Sequence, residues 1–203
     1  MMMRRLITGM TTLCVAVALL AGCSRSPRVT FYTLNAAATP EATTPTTAPA
    51  SVAVGPVTLP ELQDQPQLVV RIDANRVDVL EIHRWAAPLK SEIPRIIAAD
   101  LAVLLKPAQV SVYPQNAGLD ADYRVLVDIQ RFEMTDGKGV DLDALWSVRR
   151  AGGDASKKTG RSVISEPAGA AGYEALVAAQ SRALAAVSRD LAQALRAEAA
   201  VPH

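Results

Sequence analysis

The chain has very little cysteine, with only Cys14 and Cys23 among its 203 residues. Both lie in the first 23 positions, so the remainder offers no thiol for a disulfide, a metal site or nucleophilic catalysis. Histidine is equally scarce: His83 is internal and His203 is the last residue. No second internal histidine is present to complete a catalytic triad. A domain built from this sequence must therefore be stabilised by its hydrophobic core alone.

Two further absences narrow the classes of function. The 21 basic and 20 acidic residues nearly balance and form no Lys/Arg-rich cluster, which argues against a nucleic-acid partner. The uninterrupted apolar run near the start covers only residues 13–20. A transmembrane helix needs about 20 apolar residues, so this run is too short to span a bilayer uncleaved.

The start of the chain resembles a bacterial lipoprotein signal. Arg4 and Arg5 precede the apolar run, which ends in the lipobox-like sequence Leu20, Ala21, Gly22, Cys23. This pattern predicts a signal peptide over residues 1–22 and acylation of Cys23, whose two or three lipid chains would form a stable membrane anchor. Loss of the two arginines leaves 19 basic and 20 acidic residues, a net charge of −1. Serine at position 24, rather than aspartate, is typical of sorting to the outer membrane.

The mature chain divides into an amino-terminal part, residues 23–50, and a globular domain, residues 51–198. Residues 29–34 are mostly β-branched or aromatic and predict a short strand. Residues 35–50 are rich in Ala, Thr and Pro without apolar periodicity, which predicts a loop or linker. Whether the strand docks on the domain is left open, and the linker is a surface loop if it does and a tether if it does not.

Alternating and helical periodicities in the domain predict an α+β fold. We expect a mostly antiparallel sheet, with a hairpin turning at residues 73–76 and a meander that begins at residues 123–130. Both predicted helices carry an apolar stripe and should pack on one side of the sheet. The predicted strands are residues 51–59, 68–72, 77–82, 110–113, 123–130, 140–148 and 159–165, and the helices are 89–105 and 173–195.

Three groups of residues could carry chemistry, and each has a simpler structural explanation. Glu81 and His83 could act as a carboxylate and base, but residues two apart on a strand merely share a face. The pairs Asp120 with Asp122 and Asp141 with Asp143 lack the spacing of a known calcium loop and predict solvated faces.

The glycine-rich segment 137–139 lacks a P-loop pattern and predicts a hairpin turn. We therefore expect no catalytic residue, no metal site and no cofactor.

Trp85 and Trp146 are the two residues whose role the sequence leaves open. Each lies beside apolar residues typical of a strand, which favours core packing. Tryptophan is also enriched as an anchor at protein interfaces, so an exposed anchor is the alternative.

Several short segments, taken in order, resemble the family of ABC-type transport auxiliary lipoproteins. The resemblance covers nearly the whole mature chain, although the Ala/Thr/Pro-rich segment is longer than the pattern needs. Its residues are Phe31, Tyr32 and Leu34; Val57, Pro60 and Leu62 before the strand at 68–71; Trp85, Ala86, Pro88 and Leu89; Phe132, Gly137, Val140, Leu142 and Trp146; and Gly172 with Tyr173.

The resemblance implies an outer-membrane lipoprotein that faces the periplasm. Its implied partners are an MCE-domain protein and an inner-membrane transport module that together move lipids between membranes. It also implies a homo-oligomeric ring, held by acylated Cys23, that receives the end of a tube crossing the periplasm. The alternative is a general envelope lipoprotein that binds peptidoglycan or supports an envelope assembly machine.

Overall fold

The computed structural model describes residues 27–40, 48–114, 120–151 and 157–201. The predicted signal peptide, Cys23, residues 41–47 of the predicted linker and His203 lie outside the described residues.

Eight strands and two helices form within the described residues, which confirms the α+β class. Every predicted strand and helix is present, with bounds that differ by a few residues. The elements are β1 Thr30–Tyr32, β2 Ser51–Thr58, β3 Gln67–Arg71, β4 Val77–Trp85, α1 Leu89–Leu104, β5 Gln109–Val112, β6 Tyr123–Thr135, β7 Gly139–Arg150, β8 Lys157–Pro167 and α2 Tyr173–Ala199.

All eight strands belong to one sheet, and β6 is its centre. One edge of β6 pairs along its length with β7, which in turn pairs with β8, so the predicted meander is confirmed. The other edge of β6 is shared: its first half pairs with β2 and its last two residues pair with β3. The remaining pairs are the predicted β3–β4 hairpin, β2–β5 and β1–β4.

The sheet is mixed rather than purely antiparallel: its longest ladders are antiparallel, as expected, and the parallel pairs are shorter. The hairpin and the two meander pairs are antiparallel, whereas β1–β4, β2–β5, β2–β6 and β3–β6 are parallel. Parallel partners are joined by long crossover connections, and local periodicity does not reveal which distant strand they will meet.

The helices cover one face of this sheet. In β6 the buried side chains change from odd positions up to Ile129 to even positions from Phe132, because a bulge between Ile129 and Arg131 shifts the register. The bulge keeps apolar residues on the helix side along the full strand. The predicted stripe of α2 is buried there as well, with Leu184 and Leu191 fully inaccessible. Within the described residues, no helix is long and apolar enough to cross a membrane.

The first strand docks on the domain, which answers the question left open by the sequence. Residues Thr30, Phe31 and Tyr32 pair in parallel with β4, and Leu34 is buried in the core at 3% exposure. We call residues 33–38, which follow this strand across the helices, the N-terminal strap. The loop or linker predicted from residue 35 begins within the strap as a loop, and hydrogen bonds fix Asn35, Ala37 and Ala38 to the helices.

Two carboxylates of α1 and one hydroxyl of α2 hold the N-terminal strap. Oδ1 of Asp100 accepts hydrogen bonds from the backbone N–H groups of Ala37 and Ala38, both at 2.9 Å. The backbone of Leu34 hydrogen-bonds to the Glu92 carboxylate. Asn35 donates its backbone N–H to Oγ of Ser181 at 3.2 Å. Composition could not indicate these contacts because the strap itself contributes only backbone donors.

Candidate functional site

The face of the sheet opposite the helices carries a concavity lined by four strands. It is an open groove of about 890 Å³ that runs across β2, β6, β7 and β8. Its lining combines apolar side chains with a polar rim that includes Lys157 and Arg161. The main lining residues are Pro56, Leu126, Leu145, Trp146, Thr159 and Gly160.

Trp146 lies at the boundary between this groove and a smaller hollow of about 420 Å³ beside α2. Its indole covers Gly160 of β8, where a Cβ atom would come within 2.2 Å of Cζ2. The indole N–H donates to Oγ of Ser162 at 3.0 Å, and that hydroxyl donates to Asp190 of α2 at 2.5 Å. The half-buried ring is therefore fixed by packing and by a hydrogen-bonded chain.

Charged side chains border the apolar part of the groove. Leu145, which is 44% exposed, faces solvent between Asp128 of β6 and Arg161 of β8. Arg161 donates two hydrogen bonds to Asp143, at 2.9 and 2.6 Å, and these bonds hold the pKa of Asp143 below its usual range. An apolar floor with a charged rim is the composition of a protein-binding surface.

Trp85 does not provide a comparable exposed anchor. Its side chain is 6% exposed and packs in the core, at a small hollow that Leu89 and Phe132 also line. Its backbone N–H donates to the carbonyl of Pro66 at 2.8 Å. Trp85 is therefore a core residue and not an exposed anchor at a protein interface.

The structure separates His83 from Glu81. A hydrogen bond of 2.8 Å joins Nδ1 of His83 with the Tyr32 hydroxyl, and the His83 ring lies 4.5 Å from that of Tyr173. Burial is the main cause that raises the pKa of Tyr32, with a further contribution from Glu174. Glu81 instead contacts Gln67 and Arg84 on the solvent side. The predicted base and its carboxylate thus have different partners.

The aspartate pairs are occupied by ordinary hydrogen bonds. Asp141 accepts from Ser165, Asp143 accepts from Arg161, and Asp122 accepts from the backbone N–H and hydroxyl of Ser51. Asp120 lies in the turn before β6. Across the residues that the structure describes, no group of three or more Asp, Glu, His or Cys side chains is placed to hold a metal ion.

The glycine-rich segment is the tight turn between β6 and β7, as the sequence predicted. Lys138 donates its backbone N–H to the carbonyl of Thr135 at 3.1 Å. Gly139 has a φ of 151°, and a Cβ there would lie 2.1 Å from the carbonyl oxygen of Glu166. The glycine is therefore required by the close approach of β8.

The two buried carboxylates of α1 were not predicted from the sequence. Asp100 is fully buried, and Glu92 is 8% exposed with one carboxylate oxygen lacking a hydrogen-bond partner. Burial is the main cause that raises the pKa of both groups. The sequence does contain an indication of these buried groups, because Asp100 and Glu92 interrupt the apolar stripe between Leu89 and Leu104. A charge at such a position predicts a specific partner.

A family model described as ABC-type transport auxiliary lipoprotein component matches residues 32–192. Two solved structures have a similar fold. A crystal structure of an uncharacterized protein is 18% identical with a TM-score of 0.64, and the alignment covers 83% of this chain and 99% of that one. Protein XCC0632 from Xanthomonas campestris, of the DUF330 family, is 17% identical with a TM-score of 0.60, over 83% and 97%. No curated protein sequence matches the chain.

Proposed function

We propose that this chain, which belongs to the family of ABC-type transport auxiliary lipoprotein components, docks an intermembrane lipid transport system at the outer membrane. In this role it is anchored through acylated Cys23 and faces the periplasm. Its partners are an MCE-domain protein and the inner-membrane transport module. It works by binding, so the transported lipid undergoes no covalent change.

One structural observation carries the proposal beyond family membership. Within the described residues, no helix covers the face of β6, β7 and β8 that carries the groove, and the groove has an apolar floor. An apolar concavity with a polar rim is a candidate site for binding a partner. Leu126 and Leu145 in the floor provide the large apolar side chains that contribute binding energy at interfaces.

The anchor and the groove have complementary tasks in this proposal. Lipid chains at Cys23 keep the protein at the bilayer. A ring of identical protomers would present several grooves to the end of one tube. Linked sites of this kind raise the overall affinity through effective concentration, even when each single contact is weak.

The groove is tested by a charge placed in its floor. Leu145→Glu should lower co-purification of the MCE-domain partner about tenfold or more, because an interface anchor contributes about 2 kcal/mol or more. The matched control is Val163→Glu on the same face, where Val163 is 61% exposed and outside the groove lining. We expect the control to retain partner recovery.

Detergent-solubilised membranes that contain the acylated protein provide the material for this measurement. Equal recovery of the partner with both variants would show that the groove is not the docking surface. Recovery with isolated peptidoglycan, without any MCE-domain protein, would support the general envelope role instead. A normal melting temperature of each variant excludes misfolding as the cause.

The anchor has its own test. Cys23→Ser should leave the precursor unprocessed and unlabelled by radioactive palmitate, because the acyl group needs the cysteine sulfur. Palmitate labelling at the level of the unchanged protein would refute the anchor. Cys14→Ser is the control, since the predicted signal peptide that contains Cys14 is removed, and it should not affect labelling of the mature chain.

A further inference from the structure

The edge of the sheet formed by β1 exposes apolar side chains on the solvent side. Phe31 is 63% exposed, Val29 is 39% exposed and Ile82 is 37% exposed. Phe31 pairs in register with Arg84 of β4. The ladder begins with Thr30 opposite His83, and the same register extended by one residue before Thr30 sets Val29 beside Ile82. We call Val29, Phe31 and Ile82 the edge patch.

The edge patch faces solvent because the side chains on the opposite side of β1 are buried in the core. Tyr32 and Leu34 are 7% and 3% exposed, and the alternation of a strand turns Val29 and Phe31 away from them. Folding therefore cannot bury Phe31 while Tyr32 keeps its hydrogen bond to His83. A large aromatic side chain in water at this edge is covered, if at all, from outside the domain.

The length of chain before β1 indicates what lies there. Only six residue steps separate Cys23 from Val29, and a fully extended chain spans about 3.5 Å per residue, or roughly 21 Å in total. Because β1 is held in the sheet, the segment after it does not lengthen this connection. Lipid chains on Cys23 would therefore keep Val29 within about 21 Å and Phe31 within about 28 Å of the attachment point, near the membrane surface.

The charges near the edge patch favour a bilayer as its occupant. Arg25 and Arg28 lie on the short connection, and Arg84 lies beside Phe31 in register. Basic side chains next to an apolar patch suit an interface where acyl chains and anionic headgroups meet. Arg84 is paired with the acidic neighbour Glu81, so this pair is neutral and the net positive charge beside the patch comes from Arg25 and Arg28.

We infer that the edge patch rests on the bilayer that holds the acyl chains, so that the domain is fixed in orientation rather than swinging on a long tether. This inference depends on the lipid anchor in the proposed function. It assigns two contacts to the membrane: the acyl chains give affinity, and the patch gives orientation. The Ala/Thr/Pro-rich segment follows β1 in the chain and then takes no part in tethering.

The opposite edge of the sheet provides a matched control. Val163 of β8 is 61% exposed, nearly the same as Phe31. Five strand-to-strand steps separate β1 from β8, and each step turns the sheet by about 20–25°. The two edges therefore face different directions, and a membrane that contacts Phe31 leaves Val163 in water.

Single labelled cysteines test this arrangement in the acylated protein. The mature chain has no other free thiol once Cys23 is acylated, so Phe31→Cys or Val163→Cys gives one site for an environment-sensitive nitrobenzoxadiazole label. The proteins are reconstituted in vesicles of phosphatidylethanolamine and phosphatidylglycerol, with or without nitroxide-labelled lipid. We expect a blue shift and severalfold stronger nitroxide quenching at position 31 than at position 163. Val29→Cys repeats the measurement if Phe31→Cys alters the melting temperature.

Equal quenching at the two edges, or no quenching at position 31, would overturn the inference. A blue shift at position 31 that persists in detergent and depends on protein concentration would identify a second copy of the chain as the occupant, and would also overturn it. Palmitate labelling of the same samples separates this failure from failure of the anchor. Partner recovery in detergent separates it from failure of the docking role.

Discussion

Two edge strands of the sheet, β1 and β8, are held in different ways. At one edge, β1 contributes three residues in a parallel pair with β4, and the N-terminal strap that follows is held by buried side chains of the helices. At the other edge, β8 contributes eleven residues in an antiparallel ladder with β7. Its side chains add links to α2, from Ser162 to Asp190 and from Glu166 to Arg182.

The difference follows from separation along the chain. Residues that pair between β1 and β4 are 53 positions apart, since Thr30 meets His83, whereas β7 and β8 are neighbours in sequence. Closing a long loop costs more conformational entropy, and three residues of pairing return few backbone hydrogen bonds. The first edge therefore depends on Asp100, Glu92 and Ser181, which the second edge does not need.

Loss of α2 packing should affect both edges and give the largest effect. Leu184→Asp places an unpaired charge at a fully buried position of α2, and we expect the free energy of unfolding to fall by about 4 kcal/mol or more. Urea unfolding followed by circular dichroism measures it. Ala178→Asp, on the exposed side of the same helix, should cost about 1 kcal/mol or less. Similar losses in both variants would mean that α2 does not pack as described.

A substitution of Asp100 should loosen the N-terminal strap beside β1 and leave β8 unchanged. Asp100→Ala leaves the backbone N–H groups of Ala37 and Ala38 without an acceptor, and we expect a loss of about 2–3 kcal/mol. Amide hydrogen exchange should quicken at these two residues and remain unchanged in β8. Asp100→Asn retains an accepting oxygen and should lose less. Faster exchange in β8 as well would show that the two edges are not held independently.

A methyl group at Gly160 should disturb only the second edge. Gly160→Ala forces the Trp146 ring off β8, since the new Cβ would lie 2.2 Å from Cζ2, and overpacking of this kind costs about 1–3 kcal/mol. The same substitution in a Trp146→Ala background should cost less, because the ring is no longer there to move. Denaturant midpoints of the four proteins give the coupling between the two residues. Equal costs in both backgrounds would contradict the contact.

The smallest expected effect is a difference in how pH changes the contributions of groups near β1 and near β8 to the free energy of unfolding. Burial raises the pKa of Asp100 and Glu92 above that of the unfolded chain, so the folded state holds their protons more tightly. Their contribution to the free energy of unfolding is therefore largest at pH below about 4, and falls as pH rises through the raised pKa values. Asp143, at the other edge, has the opposite sign, because its lowered pKa gives stability that is lost at low pH.

Comparison of the unchanged protein with Asp100→Asn isolates the Asp100 contribution. The variant should lose part of the decline in stability between about pH 4 and pH 7, measured from urea midpoints. A decline of the same size in both proteins would show that Asp100 does not titrate in this range.

Local patterns in the sequence predicted most of the fold. Alternation of apolar residues from Tyr123 to Ile129 predicted β6, and helical spacing through Leu184 and Leu191 predicted α2. Turn residues predicted the β3–β4 hairpin and the β6–β7 connection. These elements form from residues that are close together in the sequence, so local patterns reveal them. The family model also matches residues 32–192, in agreement with the resemblance seen in the sequence.

The candidate site was only partly predictable. Both tryptophans were singled out, but the same strand-like surroundings describe Trp85 in the core and Trp146 at the margin of a groove. The groove itself combines Pro56 of β2 with Leu126, Leu145 and Thr159 from three later strands. No spacing in the sequence links these residues, because their meeting depends on the order of strands in the sheet.

The sequence by itself determined the strands and helices and the α+β class, and it carries the lipobox-like pattern that predicts the anchor, since each is written in composition or in short-range periodicity. Only the tertiary structure decided the parallel pairs around β6, the uncovered face with its groove, and the docking of β1 that exposes Phe31. These features arise from contacts between residues that are distant in sequence. Their free energy depends on which surfaces meet, and a local pattern of apolar and polar residues does not specify that.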